Sequence, residues 1–80
     1  MHETHLFQNL VKYLDEEERT SDKKISRIHV NLSKFGGLSK EHFLSHFAEV
    51  TKASDWKDLK IEFTDIPYGP EFEITELEYA

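Results

Sequence analysis

The spacing of apolar residues along this chain switches between helix and strand three times, and those switches restrict the folds open to it. Residues 5–18 place Leu6, Phe7, Leu10, Val11 and Leu14 on one stripe at helical spacing. Residues 25–34 alternate Ile28, Val30 and Leu32 against Arg27, His29, Asn31 and Ser33, the pattern of a strand with one wet face. A second helix over 40–51 would bury Phe43, Leu44, Phe47 and Ala48, with Ser39 as its N-cap. Residues 59–65 alternate again, setting Leu59, Ile61 and Phe63 against Lys60, Glu62 and Thr64. In the last strand, 71–79, the alternation slips. Phe72 and Ile74 share one parity and Leu77 and Tyr79 the other, so one extra residue near Thr75-Glu76 predicts a β-bulge.

Between these runs, residues 19–24 have no apolar member and read as an exposed loop. Phe35-Gly36-Gly37-Leu38 reads as a turn. Residues 52–58 are a short connection that lays the Trp56 indole over one end of the core. Pro67-Tyr68-Gly69-Pro70 is a tight turn.

The order helix, strand, helix, strand, strand predicts an α/β (α+β) two-layer sandwich, a three-stranded mixed sheet with two helices on one face. A right-handed crossover through the second helix makes strands one and two parallel. The short turn at 67–70 sets strand three antiparallel to strand two. The polar strand face, with Arg27, His29, Asn31, Lys60, Glu62 and Glu73, is left for solvent or a partner.

Eighty residues make a single domain, 1–80, with a modest core. No cysteine is present, which rules out disulfides and thiolate zinc. Sixteen acidic residues against ten basic ones give a net charge of −6, unsuited to nucleic acid or an anionic membrane surface. No apolar run approaches the roughly 20 residues that span a bilayer. The amino terminus lacks the basic-then-apolar pattern of a secretory signal, so the cytoplasm is the expected location.

Met1-His2-Glu3 is the densest chemistry in the chain: an amine, an imidazole and a carboxylate at the positive end of a helix. By helix physics alone this is a solvated start, with Glu3 stabilising the helix by about 0.3–1 kcal/mol. His42 and His46, four apart with Glu49 beyond, form a ridge opposite the Phe43/Phe47 stripe and read as a solvated face. His5 and His29 read as exposed, and Glu16-Glu17-Glu18 as solvated. His2-Glu3-Thr4-His5 is not a zinc-protease motif, because Leu6 stands where its second histidine belongs. Gly36-Gly37 lacks a phosphate-loop lysine and more simply supplies positive φ at a turn. Tyr68 can anchor a partner or cover the sheet edge. No catalytic constellation is present, so an enzyme is not expected.

Taken in order, these words resemble the nickel-binding domain of the HypA/HybF family, the nickel-insertion chaperones of [NiFe]-hydrogenase maturation. The matching segments are Met1-His2-Glu3 with Leu6 following, Ile28–Leu32, and Phe35-Gly36-Gly37-Leu38-Ser39 entering the second helix. Phe47-Ala48-Glu49 and the closing Phe72-Glu73-Ile74-Thr75-Glu76-Leu77-Glu78 complete the set. Two departures stand out. The family's zinc domain, built on two cysteine pairs, is replaced by the short turn at 66–71, and Gly37 stands where the family usually has an acidic residue.

The resemblance turns Met1, His2 and Glu3 into a site for one labile nickel(II) ion, with His2 the indispensable ligand and no structural zinc. The Met1 amine and the backbone nitrogens of His2 and Glu3 would form two five-membered chelate rings, and the His2 imidazole would close the square through a looser, seven-membered one. Glu3 would support that site from outside it. A retained, unblocked Met1 is required. The resemblance further implies a hydrogenase large subunit and the maturation GTPase HypB as partners. The alternative is a module of the same fold that docks a partner through the polar sheet face or the Tyr68 turn and handles no metal.

Overall fold

The computed structural model describes residues 2–80, and the side chains of residues 5–80. Helix α1 (His2–Ser21) buries Phe7, Leu10 and Leu14 completely or nearly so, with Val11 packed at the margin. It is longer than its apolar stripe implies, and residues 19–21 are helix rather than loop. No glycine or proline interrupts the polar run after Leu14. Arg19 pairs with Glu16 at 2.7 Å one turn back, and the helix closes only at Asp22. There φ is 58°, and the Asp22 N–H donates to the Glu18 carbonyl at 2.9 Å. An aspartate tolerates that left-handed conformation better than most side chains.

Strand β1 (Ile25–Ser33) is the centre of the sheet, in the order β2-β1-β3. Its Ile28, Val30 and Leu32 are essentially inaccessible to solvent. Strand β2 (Lys60–Ile66) pairs with it in parallel, from Arg27 opposite Lys60 to Ser33 opposite Ile66. Strand β3 (Phe72–Tyr79) runs antiparallel to β1 on its other side. Strand three therefore has the expected direction relative to strand two but is not its neighbour, and the two do not form a hairpin. Residues 67–71 pass across the end of β1, which donates from the Lys34 N–H to the Ile66 carbonyl at 2.7 Å and from the Ser33 N–H to the Glu71 carbonyl at 3.3 Å. Five residues reach about 16 Å when extended. Crossing two strand spacings takes about 10 Å. Pro67 and Pro70 also remove two donors that a hairpin ladder would use. The strand with the most thoroughly buried face takes the middle.

The β-bulge is where the parity slip placed it. Val30 pairs with Ile74 and His29 with Glu76, so Thr75 is the extra residue. Phe72, Ile74 and Leu77 consequently all pack against the core.

Ser39 caps helix α2 (Lys40–Thr51), its hydroxyl accepting from the His42 N–H at 3.1 Å. The helix buries Phe43, Phe47 and Thr51, but Leu44 is 41% exposed and Ala48 is also exposed. Those two lie about 100° round the helix from Phe43 and Phe47, beyond the edge of the apolar stripe. Phe43 joins four elements through ring contacts to Phe7 at 4.9 Å, Phe63 at 5.2 Å and Phe72 at 5.3 Å, all edge-to-face. A 3-10 turn at Asp55–Asp58 buries Trp56, whose indole N–H donates to Asp15 of α1 at 2.7 Å.

Candidate metal centre

Helix α1 begins at His2, so its first N–H groups have no partner within the helix. Nitrogen at this end is available to a ligand without breaking a helical hydrogen bond. Met1 lies outside the described residues, as do the side chains of His2 and Glu3.

The nearby surface differs from its sequence reading. His46 does not stand on a ridge turned away from the core. It is half-buried and stacks on Phe7, with ring centroids 5.6 Å apart and planes 16° from parallel. His42 is exposed, its ring 6.2 Å from that of His46. The helix–helix packing draws His46 towards α1, because Phe43 and Phe47 point between α1 and the sheet and His46 lies on the α1 side of them. This puts an imidazole beside the second turn of α1.

A cluster that the sequence reading did not assemble lies on the polar face of the sheet. His29 projects from the middle of β1, and its Nε2 is hydrogen-bonded to the Glu78 carboxylate. Glu76, directly across the strand, brings Oε1 to 3.9 Å from the same nitrogen. That hydrogen bond, and secondarily the charge of the neighbouring Arg27, holds the Glu78 carboxyl below the usual carboxylate range. Strict alternation from Phe72 would have turned both glutamates towards the core. The slip in parity at Thr75-Glu76 was the signal that they face His29 instead.

Two further carboxylates, Asp15 and Glu18, serve the fold. A groove of about 560 Å³ runs between α1 and the 3-10 turn, lined by Asp15, Glu18, Asp55 and Asp58 among others. Asp15 accepts from the Trp56 indole, and Glu18 accepts from the Ile25 N–H at 2.7 Å, fixing the start of β1. Glu18 is therefore not the simple solvated charge it resembled. His5 is exposed, as expected. Gly37 does take positive φ, 80°, whereas Gly36 does not and instead packs close to Glu71. Tyr68 is 81% and Phe35 78% exposed. No helix among the described residues is long and apolar enough to cross a membrane.

The family described as hydrogenase/urease nickel incorporation metallochaperone, HypA, matches residues 1–78. Two solved structures share the fold. A solution structure of HypA protein superimposes with a TM-score of 0.81 at 18% identity, covering 100% of this chain and 97% of that one. The solution structure of the Ni metallochaperone HypA from Helicobacter pylori gives 0.77 at 16% identity, covering 95% of each chain. No curated protein matches the chain at a significant level.

Proposed function

This chain belongs to the HypA family of hydrogenase and urease nickel-incorporation metallochaperones, and from that premise we propose that it binds one nickel(II) ion at its amino terminus and delivers it to a nickel enzyme precursor. It is a metallochaperone in kind and not an enzyme. The observation that carries the finer reading is the family match itself, which begins at residue 1 and so includes Met1, His2 and Glu3. The start of α1 at His2 supports it, since the first backbone nitrogens of a helix carry no helical hydrogen bonds.

In this reading the Met1 amine, the backbone nitrogens of His2 and Glu3 and the His2 imidazole hold the ion in a square. Nitrogen donors and square-planar geometry suit nickel(II). Every donor competes with protons, so the ion is released as the pH falls. A seven-membered ring through the imidazole is a loose closure, which suits a carrier that must give up its cargo. Delivery would be in the cytoplasm, to a [NiFe]-hydrogenase large subunit or a comparable nickel enzyme, in concert with the GTPase HypB. The chain would work without a cysteine-built zinc domain, as one domain over residues 1–80.

A second reading, a docking module that carries no metal, draws on the exposure of Phe35 and Tyr68, two aromatic rings in loops at the same end of the sheet. The host cell separates the two. Replacing the protein by its His2→Ala variant should lower nickel in the hydrogenase as far as deletion does, and added nickel should restore it. Unchanged hydrogenase nickel in that variant would leave only the docking module.

A further inference from the structure

The polar face of the sheet holds its own set of metal donors, remote from the amino-terminal chelate in both sequence and chemistry. His29 Nε2, Glu76 Oε1 and a Glu78 carboxylate oxygen all lie within 4.8 Å of one another. They come from two strands, and the bulge at Thr75 brings the two glutamates to the side where His29 stands. We propose that His29, Glu76 and Glu78 form a binding site for one first-row divalent transition cation.

The geometry suits such an ion. Donor atoms bound to one metal at about 2.0–2.2 Å sit some 3–4 Å apart. The 3.9 Å between His29 Nε2 and Glu76 Oε1 already meets this. Glu78 is closer than that and needs only to slide off the imidazole as the ion enters. The ion replaces the proton between His29 and Glu78, so the imidazole binds through Nε2 with its remaining proton on Nδ1. Two carboxylates match the charge of a divalent ion, and the single imidazole nitrogen favours nickel, cobalt or zinc over magnesium or calcium. Glu62, across from His29 on β2, and Glu73 further along β3 add negative charge to this face, against Arg27 and Lys60. With three protein donors on an open surface, water completes a six-coordinate shell, and the ion exchanges readily.

The two sites are distinguishable with nickel itself. A square of amine, amide and imidazole nitrogens gives low-spin, diamagnetic nickel, whereas one imidazole, two carboxylates and water give high-spin, paramagnetic nickel. We therefore add nickel(II) beyond one equivalent to the full-length His2→Ala protein and follow backbone amide signals. The expected result is selective broadening at residues 28–30 and 75–79, lost in His29→Gln and in Glu76→Gln/Glu78→Gln, with at least a tenfold loss of affinity for this ion. Both variants change partly or fully exposed side chains, and unchanged signals elsewhere verify the fold. Broadening spread over the whole acidic surface, broadening centred on Asp15 and Asp55, or broadening that survives His29→Gln would overturn the proposal. The amino-terminal chelate is absent from this background, so its fate does not affect the outcome.

Discussion

Single residues set the limits of this fold. Phe43 has no exposed surface and touches rings from α1, β2 and β3. Phe43→Ala should cost about 3–5 kcal/mol, a large share of the total for an 80-residue domain. Thermal unfolding should show little or no cooperative transition, whereas Phe43→Leu should retain one. The glycines of the 35–38 turn separate two kinds of constraint. A Cβ on Gly37 would meet nothing, so Gly37→Ala should cost only its left-handed φ, about 1 kcal/mol. A Cβ on Gly36 would come within 3.1 Å of the Glu71 backbone, and Gly36→Ala should disturb the crossing from β2 to β3 as well. Glu78 gives a pH test. Its carboxyl is held below the unfolded range by the hydrogen bond from His29. The stability it contributes is therefore present above the unfolded carboxylate range and lost as pH falls through the folded value. Acid unfolding of Glu78→Gln should be less steep with pH than that of the unaltered protein; equal slopes would remove Glu78 from the account.

At the scale of elements, the chain's apolar periods were sufficient to place both helices and all three strands, the cap at Ser39 and the bulge at Thr75. They could not say which strands are neighbours. A short loop usually means a hairpin, yet here β1 carries the most deeply buried face and takes the centre, leaving β2 and β3 at opposite edges. The same limit hid the His29–Glu76–Glu78 cluster. The parity slip was visible in the sequence, but β3 had to be laid against β1 before its glutamates met a histidine. His46 was misplaced for a related reason: which flank of a stripe is covered depends on where the second helix lies. The bulge itself can be tested by deletion. Removing Thr75 sets Phe72, Ile74 and Leu77 on one parity with no extra residue, so the bulge should close with all three side chains still on the core. Cooperative unfolding near the original Tm is expected, with Glu76 and Glu78 still opposite His29, whereas a drop of many degrees would show that the bulge itself stabilises the sheet.

For the molecule as a whole, the proposed division is a packed fold as scaffold and the amino terminus as the seat of the metal chemistry. The sheet and two helices bury a core in which α1 is pinned through Phe7, Leu10 and Leu14. Family membership, which spans residues 1–78, makes nickel the cargo to test. The most direct test is a titration of nickel(II) into the untagged protein at neutral and mildly acidic pH, followed by visible absorption, with His2→Ala and an amino-terminally acetylated form alongside. The account expects a square-planar band that saturates at one equivalent, disappears on acidification, and is missing from both altered forms. A band of undiminished strength in either His2→Ala or the acetylated protein would contradict it.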